Sequence, residues 1–472
     1  MPVQCGMQRN ASLRGSEGAA TAPILVLLFG GVLLGALDIA IVGPALPAIQ
    51  AELALDSRQS AAIFSIYILF GLIGAPLLAS LSDSFGRRRV YIGCLALFGA
   101  GSLVVAAAPS LGVLLAGRAI QAVGAGGTLP VASAVIADTF PIERRGRALG
   151  LIGAVFGIAF ALGPVIGGIL LSFSWRWLFV VNLPLVVALI GMSVALLEDR
   201  GSEARRRFDA QGAGLLALGL AALAFGASRV GSASSGLAGI GAGPAAAFAV
   251  AAAALLLFWR AERRAEAPIV EPRLLESRQM RIIGLLGLAT GLAEASMVFL
   301  PTLAVNALDV SASRASFMLL PLIGALIAGS IIAGRALDRV GARPVIQLGM
   351  ALTMLGLLLF ALLPLSTPSF YAAGLTVGFG LASLLGAPLR FAALEEGGQA
   401  ARGASQGLLT VCLGAGRLFG ASMTGGIAAT AAVAVAGYRQ AMLAIAIGCG
   451  LALVTSAWLA IGVAGSRRHE AR

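Results

Sequence analysis

Charged residues are scarce in this chain: they make up only 11% of its 472 residues, while 59% are hydrophobic. A soluble domain of this length needs roughly a quarter of its residues charged to cover its surface, so the composition excludes a water-soluble globular protein. All 33 basic residues are Arg, and a net charge of +12 is explained by the loops of a membrane protein without any nucleic-acid partner. The composition therefore predicts an all-α polytopic membrane protein.

Several kinds of chemistry also lack the residues that they need. The chain has one His and four scattered Cys without metal-ligand spacing, so we expect no metal and no other cofactor. It contains no Walker motif, which argues against ATP as an energy source. It also contains no grouping of a nucleophile with a base. We therefore predict that the chain is not an enzyme.

Long apolar runs recur at about the 20-residue length that a membrane-spanning helix needs. Arg residues are concentrated in alternate loops, about 26 on one side against about five on the other. The positive-inside rule then predicts a multi-pass protein of the cell (inner) membrane, with cytoplasmic N- and C-termini. We expect a monomer in the lipid bilayer. The fourteen predicted helices lie near 22–44, 60–80, 90–108, 111–135, 148–171, 177–196, 211–229, 239–259, 281–306, 315–336, 343–363, 369–391, 404–432 and 438–463.

The same helical unit occurs twice in the chain. Asp38 and Glu294 lie deep in apolar stretches 256 residues apart, and each follows a Gly by three residues. Asp83 and Asp338 in later loops keep nearly the same offset, at 255. Six helices with short loops need fewer residues than this offset. We therefore predict two six-helix halves with two extra helices between them, related by a pseudo-twofold axis along the membrane normal.

Other landmarks keep the same register, since Gly124 matches Gly380 at an offset of 256. These offsets set the predicted limits of the parts of the chain. They are a cytoplasmic tail at 1–21, an N-terminal half at 22–198, a linker with the two additional helices at 199–280, a C-terminal half at 281–463, and a second cytoplasmic tail at 464–472.

Five motifs occur in order over residues 37–185: "LDIAIVGPALPAI", "ASLSDSFGRRRV", "LAGRAIQAVGAGG", "GIAFALGPVIGG" and "WRWLFVVNLPL". With them the chain resembles the fourteen-helix drug:proton antiporter family of the major facilitator superfamily. The second motif departs from the family pattern by carrying Ala79 where the family has Gly. The resemblance implies the major facilitator fold and a secondary transporter that works by alternating access.

The second motif lies at a tight turn between helices 2 and 3, where Gly86 permits a left-handed backbone. The resemblance implies that charges at this turn form a relay that locks the outward-facing state. The alternative is that they only set the topology. The gating residues so implied, with Asp138 as a partner from helix 4 and three residues from the C-terminal copy, are Asp83, Gly86, Arg87, Arg88, Arg89, Asp138, Asp338, Gly341 and Arg343.

The fourth motif resembles the antiporter motif of helix 5. We expect Gly163 and Pro164 to break this helix, because a proline removes one backbone hydrogen bond. Gly167 and Gly168 should allow the two halves to approach closely, which suits an interface that rocks. The alternative interpretation is simple helix packing.

Four charged residues lie inside predicted membrane helices, where a charge is costly and marks a functional candidate. We expect Asp38 and Glu294 to face a central cavity from the two halves. Arg118 matches Gly374 in the repeat, so duplication does not demand it, and the resemblance implies a role in proton coupling beside Asp38. Arg417 has weaker support, and we expect no comparable basic partner for Glu294. The alternative is that the acids pair with Arg118 or Arg417 for assembly only.

These observations predict a proton-coupled exporter of amphiphilic or cationic compounds, with small molecules and protons as its partners. Two alternatives remain open. One is a lipid or glycolipid exporter of the same fold, and the other is a non-transporting membrane scaffold or sensor.

Overall fold

The structure, a computed structural model, describes residues 3–140, 142–198, 209–229, 242–265, 268–397 and 402–460. Within these ranges the regular structure is α-helical and contains no strand, which confirms the predicted all-α class. The N-terminal half contains α1 (Val3–Leu53), α2 (Ser57–Phe85), α3 (Arg87–Ala106), α4 (Leu111–Thr139), α5 (Ile142–Leu170), α6 (Trp177–Val180) and α7 (Asn182–Leu196).

The two inserted helices follow, and after them the C-terminal half. The insert contains α8 (Ala210–Ser228) and α9 (Ala242–Glu262), and the short α10 (Pro272–Glu276) leads out of it. The C-terminal half contains α11 (Arg278–Met297), α12 (Leu300–Leu308), α13 (Ala312–Phe317), α14 (Leu320–Val340), α15 (Ala342–Leu362), α16 (Thr367–Leu385), α17 (Ala387–Gly397), α18 (Arg402–Thr430) and α19 (Ala434–Ser456).

Thirteen helical segments of the described residues are long and apolar enough to span a membrane. The further helix α5 has 29 residues, of which Ala161–Leu170 form a shorter apolar segment. The α6–α7, α13–α14 and α16–α17 pairs each form one span. The helix order is that of two six-helix halves with two inserted helices, as predicted.

The first helix is longer than its apolar pattern suggested. We predicted an end near residue 44, but α1 continues through Pro44 and Pro47 to Leu53. The turn that follows is short because Asp56 caps α2: its Oδ1 accepts from the Gln59 N–H at 2.7 Å, and Gln59 Oε1 accepts from the Asp56 N–H at 2.9 Å. This reciprocal capping box satisfies two backbone donors at once.

The packing repeats between the halves. α1 packs on α5 as α11 packs on α18, and α2 packs on α4 as α14 packs on α16. Gly124 brings α4 against the backbone of α3 at Cys94 and Phe98, and its repeat mate Gly380 brings α16 against the backbone of α15. A Cβ atom at either glycine would overlap its neighbours, so the matching glycines fix matching helix contacts.

The halves are joined at one end of the bundle, where α1 ends and α2 begins; we call it the Glu52 end. The Ser65 and Ser422 hydroxyls lie 3.0 Å apart, and Tyr438 Oη donates to Ser57 Oγ at 3.2 Å. On the other side of the same end, Ser316 Oγ donates to the Pro164 carbonyl at 2.9 Å. These bonds connect α2 with α18 and α19, and α5 with α13. We call this contact between the two halves the seam.

The inserted helices form their own pair beside this seam. α8 packs on α9 and also contacts α2 and α18. Its last carbonyls lie at the Glu52 end, where Arg58 Nε donates to the Ser228 carbonyl at 2.7 Å. The predicted limits of the domains stay predictions; the N-terminal 1–21 segment is helical from Val3, and the 464–472 tail lies outside the described residues.

The joined end predicts an efficient disulfide between Ser65→Cys and Ser422→Cys, because the replaced oxygens lie 3.0 Å apart across the halves. A protease site inserted after residue 235 lets the bond be detected in membranes, since cleaved halves stay linked without reductant. Ser193→Cys with Ser422→Cys is the matched control, because Ser193 bonds within its own helix. Equal cross-linking of both pairs would contradict the observed seam.

Candidate functional site

A fully buried ion pair joins the first and fourth helices of the N-terminal half. Arg118 Nη1 donates to Asp38 Oδ2 at 2.5 Å, and both side chains are 0% exposed. Gln121, one turn after Arg118 on α4, bonds both partners: its Nε2 donates to Asp38 Oδ1 at 2.8 Å, and its Oε1 accepts from Arg118 at 2.8 Å. The expected pairing of Asp38 with Arg118 is therefore present.

The polar contacts continue from this pair into α3 and α7. Gln121 Nε2 also donates to Ser102 Oγ at 2.8 Å, and Asn182 Nδ2 reaches the same hydroxyl at 3.5 Å. All these side chains are buried. The "WRWLFVVNLPL" motif thus contributes Asn182 to the network, a connection that its letters alone did not reveal.

Small residues let the helices approach closely enough for these bonds. Gly35, three residues before Asp38, lies against Ala125 of α4, and Gly101 of α3 lies against the backbone of Gln121. The Arg118 guanidinium carbon lies 4.0 Å from the centroid of the Tyr67 ring, where a cation is attracted to the ring face. Its Nε and Nη2 have no hydrogen-bond partner among the described residues. The guanidinium is therefore held by Asp38, Gln121 and the Tyr67 ring, with the Phe179 ring centroid 5.9 Å away.

The C-terminal half has an ion pair of its own. Arg417 Nε on α18 donates to Glu294 Oε2 on α11 at 2.8 Å, so the expectation that Glu294 lacks a comparable basic partner is wrong. This pair is more open than the first, with side chains 30% exposed for Arg417 and 13% exposed for Glu294. The repeat does not reveal the pairing, because each acid takes its Arg from a different helix of its half.

A cavity of about 100 Å³ lies between the two halves near Glu294. Glu294 is its one charged lining residue among the described residues, and the rest of the wall is apolar. The expectation that both acids face this cavity is wrong for Asp38, whose side chain packs inside the N-terminal half. The wall consists of Ile39, Ala40, Gly43, Pro44, Phe64, Pro164, Glu294, Met297, Val298, Leu319, Leu322, Ile323, Leu326, Leu381 and Leu385.

The predicted gating turn forms a charge cluster opposite the Glu52 end. Arg87 pairs with Asp83 through Nη1, and its Nε donates to Asp138 Oδ2 at 3.0 Å. Gly86 has φ 91°, the positive value expected for it, while Arg88 and Arg89 occupy the first turn of α3. The cluster is partly exposed, so each pair contributes only about 0–1 kcal/mol to stability. Its gating role stays a prediction.

The C-terminal copy of this turn has nearly the same backbone conformation, but its described residues lack the ion pairs. Gly341 has φ 84°, nearly that of the matching turn. Within the described residues, however, Asp338 and Arg343 form no ion pair. The duplication has therefore kept the turn geometry in both halves and the paired charges in one.

The antiporter motif lies on the seam, but it does not break its helix. α5 runs through Gly163 and Pro164 without interruption, contrary to our expectation. Within membrane helices, neighbours and local adjustments can satisfy the carbonyl that a proline leaves free. Gly167 lies against Ser316, and Gly168 lies against the Phe317 ring of α13. The close approach of the two halves at these glycines is therefore observed.

One structural residue escaped the sequence analysis. Glu52, near the end of α1, accepts from Trp175 Nε1 at 2.7 Å and pairs with Arg176. Arg176 also donates to the Ala108 carbonyl at 3.2 Å. These bonds tie the "WRW" segment to α1 and to the α3–α4 turn. The sequence did contain a signal for this contact. Glu52 is an acid at the end of a long apolar helix, and Arg176 is one of the few Arg residues outside the Arg-rich loops.

The comparisons with known proteins agree with this architecture. The sequence model of the Major Facilitator Superfamily matches residues 28–421. The chain belongs to the major facilitator superfamily. It is 31% identical over 387 residues to the uncharacterized MFS-type transporter YfiU of Bacillus subtilis, which covers 81% of this chain and 74% of that protein. Members of this superfamily are transporters, so the chain is not an enzyme.

Two further relatives carry more specific names. The multidrug transporter protein MdtP of Bacillus subtilis is 29% identical over 396 residues, with 82% of this chain and 71% of that protein covered. The triacylglyceride transporter of Mycolicibacterium hassiacum is 31% identical over 383 residues, with 77% and 71% covered. The fold is similar to that of the nucleoside transporter NupG, with a TM-score of 0.65 at 13% identity over 93% of this chain and 100% of that one.

The buried pair predicts a large loss of stability when only one charge is removed. Arg118→Ala leaves Asp38 buried without a partner and should cost about 3–5 kcal/mol, whereas Asp38→Asn with Arg118→Ala removes both charges and should recover much of the loss. Thermal unfolding of the purified protein measures this, with Arg417→Ala at the more open pair as the milder control. A double variant as unstable as Arg118→Ala would contradict the pairing energetics.

Proposed function

We propose that this transporter exports amphiphilic and cationic compounds by alternating access, driven by protons. The observation that carries the proposal is the fully buried Asp38–Arg118 pair, one residue away from cavity-lining Ile39 on the same helix. A membrane-buried carboxylate with a single basic partner is suited to cycle between paired and protonated forms. The name of the relative MdtP, a multidrug transporter protein, supports drugs as the substrate class.

The proposed coupling step is proton uptake by Asp38. Protonation removes the charge that holds Arg118, whose Nε and Nη2 already lack partners among the described residues. Gln121 is bonded to both members of the pair and also to Ser102 of α3, so α1, α3 and α4 adjust together when the pair opens. α1 also contributes Ile39, Ala40, Gly43 and Pro44 to the cavity wall. A change at Asp38 can thereby alter the cavity without direct contact with the substrate.

The energy available from one proton is sufficient for concentrative export. Movement through about 100 mV and down one pH unit releases roughly 3.7 kcal/mol. Since each 1.4 kcal/mol corresponds to a factor of ten, this supports a substrate gradient on the order of 500-fold.

The proposed orientation has both termini in the cytoplasm, following the excess of Arg in alternate loops. The joined Glu52 end then faces away from the cytoplasm, and the Asp83 cluster lies at the cytoplasmic end. In this orientation the present arrangement corresponds to a state closed to the outside. The Asp83–Arg87–Asp138 cluster is proposed to help lock the opposite state.

The cavity wall supports an apolar or amphiphilic substrate. Its lining is hydrophobic apart from Glu294, which we propose attracts cationic groups once Arg417 is displaced. The volume of about 100 Å³ is below the 300–1,000 Å³ typical of drug sites, so the halves must separate further around a drug-sized compound.

A second candidate function is export of lipids or glycolipids. The apolar wall favours it, because a lipid tail needs no charged partner. The relative named as a triacylglyceride transporter gives the same alternative a precedent within the family.

The division of roles between the acids gives a test with two substrates. Asp38→Asn should eliminate proton-driven transport of a cationic and a matched neutral compound alike, because it removes the proton site. Glu294→Gln should weaken transport of the cationic compound and spare the neutral one. Proteoliposomes under an imposed pH gradient provide the measurement, at equal protein content. Full proton coupling in Asp38→Asn would contradict this assignment. So would an equal loss of transport of both compounds in Glu294→Gln.

The proposed topology is tested by reporter fusions after residues 235 and 472. A reporter fused after residue 235 should lie outside the cytoplasm, because the first inserted helix carries the chain across the membrane. A reporter fused after residue 472 should lie inside, because the second inserted helix returns the chain to the cytoplasm before the C-terminal half. A cytoplasmic signal at 235 would argue against the insertion of two spanning helices.

A further inference from the structure

Two carboxyl groups lie at one end of the inserted helix pair, and the proposed transport cycle uses neither of them. Asp209 is the cap residue before α8, and Glu262 is the last residue of α9. One oxygen of each group is bonded to backbone: Asp209 Oδ1 accepts from the Gly212 N–H at 2.8 Å, and Glu262 Oε2 accepts from the Val270 N–H at 3.2 Å. Glu262 is only 1% exposed.

The other oxygen of each group is buried and points to the same small space. Within the described part of the chain, Asp209 Oδ2 and Glu262 Oε1 have no hydrogen-bond partner. A Cβ atom built on Gly212 would contact Asp209 Oδ2 and would lie 2.9 Å from Glu262 Oε1, so both oxygens border one point. Two carboxylates in this position repel each other, and burial strengthens the repulsion. The repulsion is relieved when one carboxyl takes up a proton or when a cation lies between the two oxygens.

Among the described residues, the basic side chains of this region do not supply a positive charge. Arg260, Arg263 and Arg264 are exposed, and the Arg263 guanidinium carbon lies 5.2 Å from the Trp259 ring centroid. α8 carries no charged residue. On the segment from α9 through α10, the other described charged residues are Glu271, Arg273 and Glu276. None of the described residues donates to the two free oxygens.

From this geometry we infer that Asp209 and Glu262 bind one small cation between them, either a proton or an alkali cation such as Na⁺. Val270, which donates to Glu262, belongs to the connector from the insert to the C-terminal half. Occupancy of the site therefore fixes this connector to the base of the inserted helices. The site lies on α8 and α9 and is distinct from Asp38 and Glu294.

The test compares the thermal stability of the full-length wild type with that of Glu262→Gln in detergent. The glutamine keeps an acceptor for Val270 and offers an NH₂ group to Asp209 in place of the cation. Choline chloride buffers between pH 5 and pH 8 test for a bound proton. A proton at this site stabilises the folded protein at low pH, and this stabilisation is lost as the pH rises. Replacing choline by Na⁺ at pH 8 tests for the alkali cation.

We expect the wild type to lose about 2 °C or more of apparent Tm toward pH 8 in choline, or to gain as much on addition of Na⁺. The first result identifies a proton and the second identifies Na⁺. Glu262→Gln should show neither response, and Asp209→Asn, which keeps a helix-capping side chain, should also lose it.

Glu271→Gln is the matched control, because it makes the same chemical change on the same connector at a residue whose side chain does not cap α10. It should respond as the wild type does. Wild-type responses to pH and Na⁺ in both Glu262→Gln and Asp209→Asn would overturn the inference. So would a wild type that responds to neither cation.

Discussion

A buried ion pair is stable only while both partners keep their charges, and the N-terminal half is built around one such pair. Asp38 and Arg118 are fully buried, so loss of either charge leaves the other without compensation in a medium of low dielectric constant. Gln121 bonds to both members of the pair and to Ser102, and it thereby connects the pair on α1 and α4 with α3. The protonation state of one carboxyl is thereby connected to the packing of three helices, and the first of these also lines the cavity between the halves.

The C-terminal half meets the same electrostatic constraint in a different way. Glu294 occupies the position that matches Asp38 in the repeat, but its partner Arg417 comes from α18, whereas Arg118 comes from α4. The second pair is partly exposed, and Glu294 lines the cavity. Glu294 is therefore open to the cavity, whereas Asp38 is not part of its wall. This difference in burial supports the proposal that one acid responds to protons and the other to substrate charge.

Much of the fold could be predicted from the sequence, because apolar length, loop Arg content and the 256-residue offset are local or periodic properties. The Asp38–Arg118 pairing was expected from the family resemblance. The partner of Glu294 could not be predicted, since duplication supplied no matching Arg and the contact depends on how α11 packs on α18. The depth of Asp38 also depends on packing, through Gly35 and Gly101. Pro164 was misleading, because it lies inside a continuous helix. The Asp209–Glu262 pair joins residues of opposite helix ends, which no local pattern reveals.

Direct measurement of proton release on substrate binding tests the central claim about Asp38. Purified protein in weakly buffered solution, with a pH indicator, is mixed with a cationic substrate below and above the pH at which Asp38 loses its proton. The proposed coupling predicts release of about one proton per protein at the lower pH in the wild type and in Glu294→Gln at saturating substrate, and none in Asp38→Asn. Undiminished release from Asp38→Asn, with substrate still bound, would contradict it.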